Sequence, residues 1–184
     1  MANVGGLNQM KKKGSFTPME SNEANNLRIE KIMHRPVITC RPMDSLHTAA
    51  ALMWDHDCGA LPVVDEDGRV LAMITDRDIC MAAFTQGLPL VAMKVKSAMS
   101  NQLHACHPED PVTEAEKRMG EKQVRRLPVV DLEGRVQGIL TLNDLARETS
   151  PSDRAASRQG GPPQDVLRTL RHVGEPHREK THFA

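Results

Sequence analysis

The sequence predicts an α/β (α+β) fold made of two copies of one small unit packed into a single body. Three observations carry that expectation. The stretch from Gly59 to Cys80 reads as an apolar strand, a tight turn at Asp67-Gly68, a second apolar strand and a helix start. A second copy lies 66 residues on: Leu127-Pro128-Val129-Val130-Asp131, then Gly134-Arg135-Val136, then Thr141 to Asp144. Aligned without a gap, Ile32–Ile79 and Ala98–Leu145 share 16 identities in 48 positions, and self-similarity at a fixed period marks a repeated supersecondary unit. A unit of about 50–60 residues makes only a marginal core alone, so the copies are expected to bury a shared interface.

Residues 1–27 are polar, carry Lys11-Lys12-Lys13 and show no periodicity, so they are expected to be disordered. The first repeat spans 28–84. Leu27 to Met33 reads as a short helix that ends before Arg35-Pro36, because the residue before proline avoids the helical region. Val37-Ile38-Thr39-Cys40 reads as a brief strand. Asp44 is the expected N-cap of a helix with Leu46, Ala49, Ala50 and Met53 on one face, ending near His56-Asp57. Ala60 to Val64 is a buried strand whose Pro62 belongs at its start or edge. Asp65–Gly68 makes a hairpin turn, Val70 to Ile74 returns, and Asp76 to about Phe84 closes the unit as a helix.

Residues 85–93 are a linker punctuated by Gly87 and Pro89, and the second repeat, 94–148, follows the same order. Its apolar stripe is Val112, Ala115 and Met119. Residues 149–184 shift to Ser, Pro, Arg and Gly and are expected to be mostly disordered, with Val166, Leu167, Leu170 and Val173 as a short amphipathic exception.

Composition narrows the function. Net charge is zero, and residues 28–148 hold 15 basic against 18 acidic side chains, so no basic face for nucleic acid is expected. One Trp, three Phe and no Tyr leave no stacking platform for single strands. Neither a signal-like leader nor an apolar run of membrane length is present, which predicts a cytoplasmic protein without a membrane partner. Cys40, Cys58, Cys80 and Cys106 have no C-x-x-C spacing and are expected to be reduced thiols.

Two in-register copies of L-P-V-V-D, G-R-V and T-x-x-D resemble a pair of CBS (cystathionine β-synthase) domains of the small stand-alone bacterial type, over roughly Ile32 to Glu148. The resemblance implies β-α-β-β-α repeats, with two three-stranded sheets backed by helices and packed about a pseudo-twofold axis. It also implies a homodimer, and a non-catalytic sensor of adenosine ligands held between the repeats. AMP, ADP and ATP are the candidate ligands, with NAD and S-adenosylmethionine behind them. No cofactor is required, and the regulated partner is unknown.

The residues point the same way. At Thr75-Asp76-Arg77-Asp78 a strand ends and a helix begins, and free N–H groups there suit a phosphate. The Thr75 hydroxyl and Asp78 carboxylate have the chemistry to meet a ribose, and Arg77 a phosphate. The same T-x-x-D spacing is equally a capping box, serving only the helix. Thr39 and Cys58-Gly59-Ala60 are assigned to this first site, where small residues let an adenine approach the backbone, or merely let the repeats pack. In the second copy Thr141 and Asp144 persist, but Ala105 replaces threonine, Asn143 replaces arginine, and Arg125-Arg126 replace Gly59-Ala60. Arg126 either reaches into a shared cleft or closes the second pocket with its bulk, and one functional site is expected rather than two.

His104, Cys106 and His107 lack converging metal-ligand spacing, and Asp55-His56-Asp57-Cys58 lacks the companions of a nucleophile. The expectation is therefore a regulator and not an enzyme, the competing reading being a ligand-free dimerisation module.

Overall fold

The computed structural model describes residues 27–147. The expectations for residues 1–26 and 148–184, including the apolar positions near Val166, lie outside the described residues.

Each repeat is built on an antiparallel hairpin, β1 (Ala60–Val64) with β2 (Val70–Thr75) and β3 (Arg126–Val130) with β4 (Val136–Thr141). The turns form as the sequence predicts. The Asp65 carboxylate accepts from the N–H groups of Asp67 and Arg69, and Asp131 does the same for Glu133 and Arg135. Gly68 and Gly134 sit at φ +80°, where a Cβ is disfavoured. Helices α1 (Leu46–Asp55) and α2 (Asp76–Gln86) flank the first hairpin, and α3 (Val112–Lys122) and α4 (Leu142–Arg147) the second.

The two hairpins meet tip to tip. Val70 N–H donates to the Gly134 carbonyl at 2.9 Å, and Val136 N–H to Gly68 at 3.1 Å. Both bonds connect positions related by the 66-residue repeat, so a pseudo-twofold axis runs between them. Val64, Val70 and Val130 pack beside it as a small apolar seam.

Several expectations are corrected. Val37–Cys40 is not a strand; it contributes one parallel bridge, Cys40 to Val63, and Cys106 to Val129 mirrors it. The cause is proline. Cys40 N–H donates to the Pro62 carbonyl and Val64 N–H to Cys40, but the next rung would need an N–H from residue 62, which proline lacks. Each implied three-stranded sheet is thus a hairpin plus one bridge. Pro62 itself is the middle residue of β1 and fully buried; of the two expected places it takes the edge and not the start, β1 being an outer strand of its two-stranded sheet. It is tolerated there because its partner Met73 turns its own N–H and carbonyl away, towards Ser100.

Asp44 does not cap α1. Its carboxylate accepts from the Arg41 N–H, and Ser45 is the cap, accepting from the Thr48 N–H. Leu27–Met33 contains only a 3₁₀ turn, Ile29–Lys31, and it does not belong to the first repeat's core. Ile29 is 0% exposed among Cys106, Ala115, Met119 and Leu127 of the second repeat. Reciprocally, Met93 and Val95, at the junction with the second repeat, pack with Cys40, Leu46 and Leu61 of the first.

These exchanged straps also tie down helix starts. Leu46 N–H donates to Met93 and Val112 N–H to Leu27, each at 2.9 Å. Helix α3 therefore begins after Pro111 with no side-chain cap, its first orphan donor being met by the strap. Neither repeat encloses a complete core without the other's strap, which makes the pair one folding unit.

Candidate cleft between the repeats

A cleft of about 360 Å³ opens between the repeats, within the usual range for a small-molecule site. The first repeat contributes Pro36, Val37 and Ile38 as an apolar wall, and Cys58, Gly59 and Ala60 just before and into β1. Arg126, Ile139 and Thr141 of the second repeat face them, and His34 closes one end. Gly59 is closely approached: a Cβ there would lie 3.3 Å from Arg126 Nη2 and 3.1 Å from Asp76 Oδ2. A guanidinium beside a bare backbone gives an anion a charged donor next to small residues that admit a flat ring.

The expected sites are therefore crossed. Cys58, Gly59 and Ala60 share a cleft with Thr141 and Arg126, and not with Thr75, Arg77 and Asp78. Ala60 pairs with Thr75 across the hairpin, yet Thr75 is not among the residues lining the cleft. Thr39 does not line it either; Ile38 does. Rotation about the pseudo-axis carries Cys58–Ala60 onto Val124–Arg126 and Thr141 with Asp144 onto Thr75 with Asp78. Thr75 and Asp78 thus belong to the mirror position, along with Ala105 and Arg125. Arg77, Arg125 and Asn143 are exposed. Arg126 lines this cleft, its Nη2 3.3 Å from where a Cβ on Gly59 would stand.

Both T-x-x-D motifs form complete capping boxes. Thr75 Oγ1 accepts from the Asp78 N–H at 3.2 Å, while Asp78 Oδ2 accepts from the Thr75 N–H and hydroxyl at 2.9 and 2.7 Å. Thr141 and Asp144 repeat this at 3.3, 2.8 and 2.6 Å. Asp144 is 4% exposed and its second oxygen lies 2.7 Å from His34 Nε2.

Sequence reasoning missed His34, Pro36, Val37, Ile38, His56, Asp57, Pro62 and Ile139 as lining residues. No local pattern marks His34, which meets its partner 110 residues away.

Burial pushes the Cys58 thiol up, Asp57 adding to the rise, against the opposing pull of the Ala60 backbone and Arg126. A protonated thiol is a contact and not a nucleophile. Burial pushes Cys40 and Cys106 up to about 12. At the mirror position His104 is lowered by burial and then by Lys122 and Arg118, whose guanidinium also donates to the Ala105 carbonyl. A neighbouring hollow lined by Trp54, Asp57 and Asp76 carries carboxylates and no cation, so it suits an anion less well. Among the described residues no group of three His, Cys, Asp or Glu side chains converges for a metal, and no helix is long and apolar enough to cross a membrane.

The CBS-domain family model matches residues 29–84 and 95–150. The chain belongs to the CBS-domain family. It is 36% identical over 129 residues to the CBS domain-containing protein YhcV of Bacillus subtilis, covering 70% of this chain and 90% of that one. Hypoxic response protein 1 of Mycobacterium tuberculosis is 34% identical over 116 residues, 63% of this chain and 80% of its own. A crystal structure of a hypoxic response protein with two coordinated zinc ions superposes with a TM-score of 0.62 at 32% identity, over 67% of this chain and all of that one. The CBS domain pair of protein MJ0100, in complex with 5′-methylthioadenosine and S-adenosyl-L-methionine, gives 0.61 at 29% identity, over 66% of this chain and 94% of that one. Other relatives carry the module inside an enzyme: a homoserine O-acetyltransferase of Methanococcoides burtonii is 30% identical over 134 residues, only 26% of its length.

Proposed function

We propose that this CBS pair is a non-catalytic, cytoplasmic regulatory protein that binds an adenine nucleotide in the cleft between its repeats. The observation that carries the reading is the Arg126 guanidinium held over Gly59, in a cleft with an apolar wall at Val37 and Ile38. A phosphate would meet Arg126, and an adenine would lie along Cys58–Ala60 against the apolar wall. The MJ0100 pair, which holds adenosine-containing ligands, supports the ligand class; AMP, ADP and ATP are our candidates for this chain. Ligand bridging the repeats alters signalling only if it binds two arrangements unequally. Exposed Trp54 and Phe84, 86% and 81% accessible on the first repeat's helices, support a homodimer, the regulated protein being a further partner.

The test is calorimetric titration with AMP, ADP, ATP and S-adenosylmethionine, beside an Arg126→Ala variant. Saturable binding that weakens in a folded Arg126→Ala protein supports the reading. Absence of binding at about millimolar ligand, roughly 4 kcal/mol of affinity or less, defeats it. The completed capping boxes would then favour the second reading, a ligand-free dimerisation module in which T-x-x-D serves only its helices.

A further inference from the structure

The cleft has a feature that its mirror lacks. Asp144 Oδ2 is committed to Thr141, and Oδ1 is held by His34 at 2.7 Å. At the pseudo-equivalent carboxylate, Thr75 engages Asp78 Oδ2 in the same way, but among the described residues no hydrogen bond reaches Oδ1, and the side chain is only half-buried. The strap decides the difference. Sixty-six residues beyond His34 stands Ser100, whose hydroxyl accepts from the Met73 N–H and donates to the Gln102 carbonyl instead. One fold thus presents the same carboxylate latched on one side of its axis and open on the other.

We propose that His34 is the specificity-determining latch of the cleft. Its imidazole holds the carboxylate oxygen that a vicinal diol would take and stands between that oxygen and the cleft, Asp144 being 4% exposed, so a ligand gains the contact only by displacing His34. The latch rests on the nucleotide reading above. With Oδ2 bound into the helix cap, Oδ1 is the one acceptor Asp144 has left for a ligand hydroxyl. His34 lines the cleft while Asp144 lies behind it. The His34 side chain is 57% exposed and can swing into solvent while Ile29 keeps the strap anchored. A site available only when the latch is open binds more weakly by the open fraction. A ligand lacking the diol has nothing to gain from opening it.

The latch is tested by titrating the full chain, as wild type, His34→Ala and His34→Ser, with AMP, ATP and their 2′,3′-dideoxy counterparts. Thermal unfolding of each variant confirms that it is folded. The expected result is that both variants bind the ribonucleotide about tenfold more tightly, while 2′,3′-dideoxynucleotide affinity moves by less than about twofold. Binding by the variants alone supports the latch in its strongest form. Wild-type binding that stays equal or weakens in both variants overturns the latch and leaves the nucleotide reading standing. Equal tightening for ribo and 2′,3′-dideoxy ligands also overturns it, since His34 would then be a steric cover and not a competitor for the diol. If neither wild type nor variants bind any probe, the nucleotide reading falls and the latch with it.

Discussion

Truncation of Ile29 to alanine should damage the second repeat and not the first, where Ile29 stands in the sequence. The side chain is 0% exposed and sits with Met119, Leu127 and Leu140 in the second repeat's core. The change removes three carbons, about 2.4 kcal/mol of transfer energy at about 0.8 kcal/mol per methylene. The cavity left behind brings the cost to about 3–4 kcal/mol, a large share of a typical domain's ~5–15 kcal/mol. For a unit of this size that lowers Tm by about 10 °C. Urea unfolding measures the loss, and native-state hydrogen exchange locates it. Amides of β3 and β4 should lose protection before those of β1 and β2. A loss below about 1 kcal/mol, or one confined to the first hairpin, would refute the strap exchange.

Other perturbations follow from the same contacts. A Cβ on Gly138 would collide with Met33 Sδ and lie 3.3 Å from the His34 carbonyl, so Gly138→Ala should cost about 1–3 kcal/mol by overpacking, seen as a lower urea midpoint. Thr75→Ala removes the cap of α2 and should cost about 1 kcal/mol by the same measurement. A thiol reagent at neutral pH should label exposed Cys80 and leave buried Cys40 and Cys106 untouched until the protein unfolds. Those two thiols are raised from 9.0 to about 12 in the folded chain, so the native state holds protons that the unfolded state releases first. Their contribution is complete below about pH 9 and disappears as pH climbs towards 12. A urea midpoint that is flat across that window would contradict it.

Much of the fold was legible because it is local. The Asp65–Gly68 turn, the Asp76 helix start and the apolar stripe of α3 depend on neighbours a few residues apart, and the 66-residue echo repeats each signal. Capping-box chemistry at Thr75-Asp78 and Thr141-Asp144 was legible for the same reason. Asp44 misled because a carboxylate before a helix can close the preceding turn as well as cap the helix, and Ser45 stood ready for the cap. The Val37–Cys40 strand misled because its apolar pattern is sound but its partner, Pro62, lacks the donor for a second rung.

By itself the sequence determined the duplication, the hairpins and the two T-x-x-D capping boxes, since each is written in spacing along one chain. Only the tertiary structure decided how those residues are shared. It put Ile29 into the second core, Arg126 over Gly59 and His34 onto Asp144. The reason is that a pseudo-twofold axis brings together groups from opposite repeats, and contact across it depends on packing rather than on any interval in the sequence.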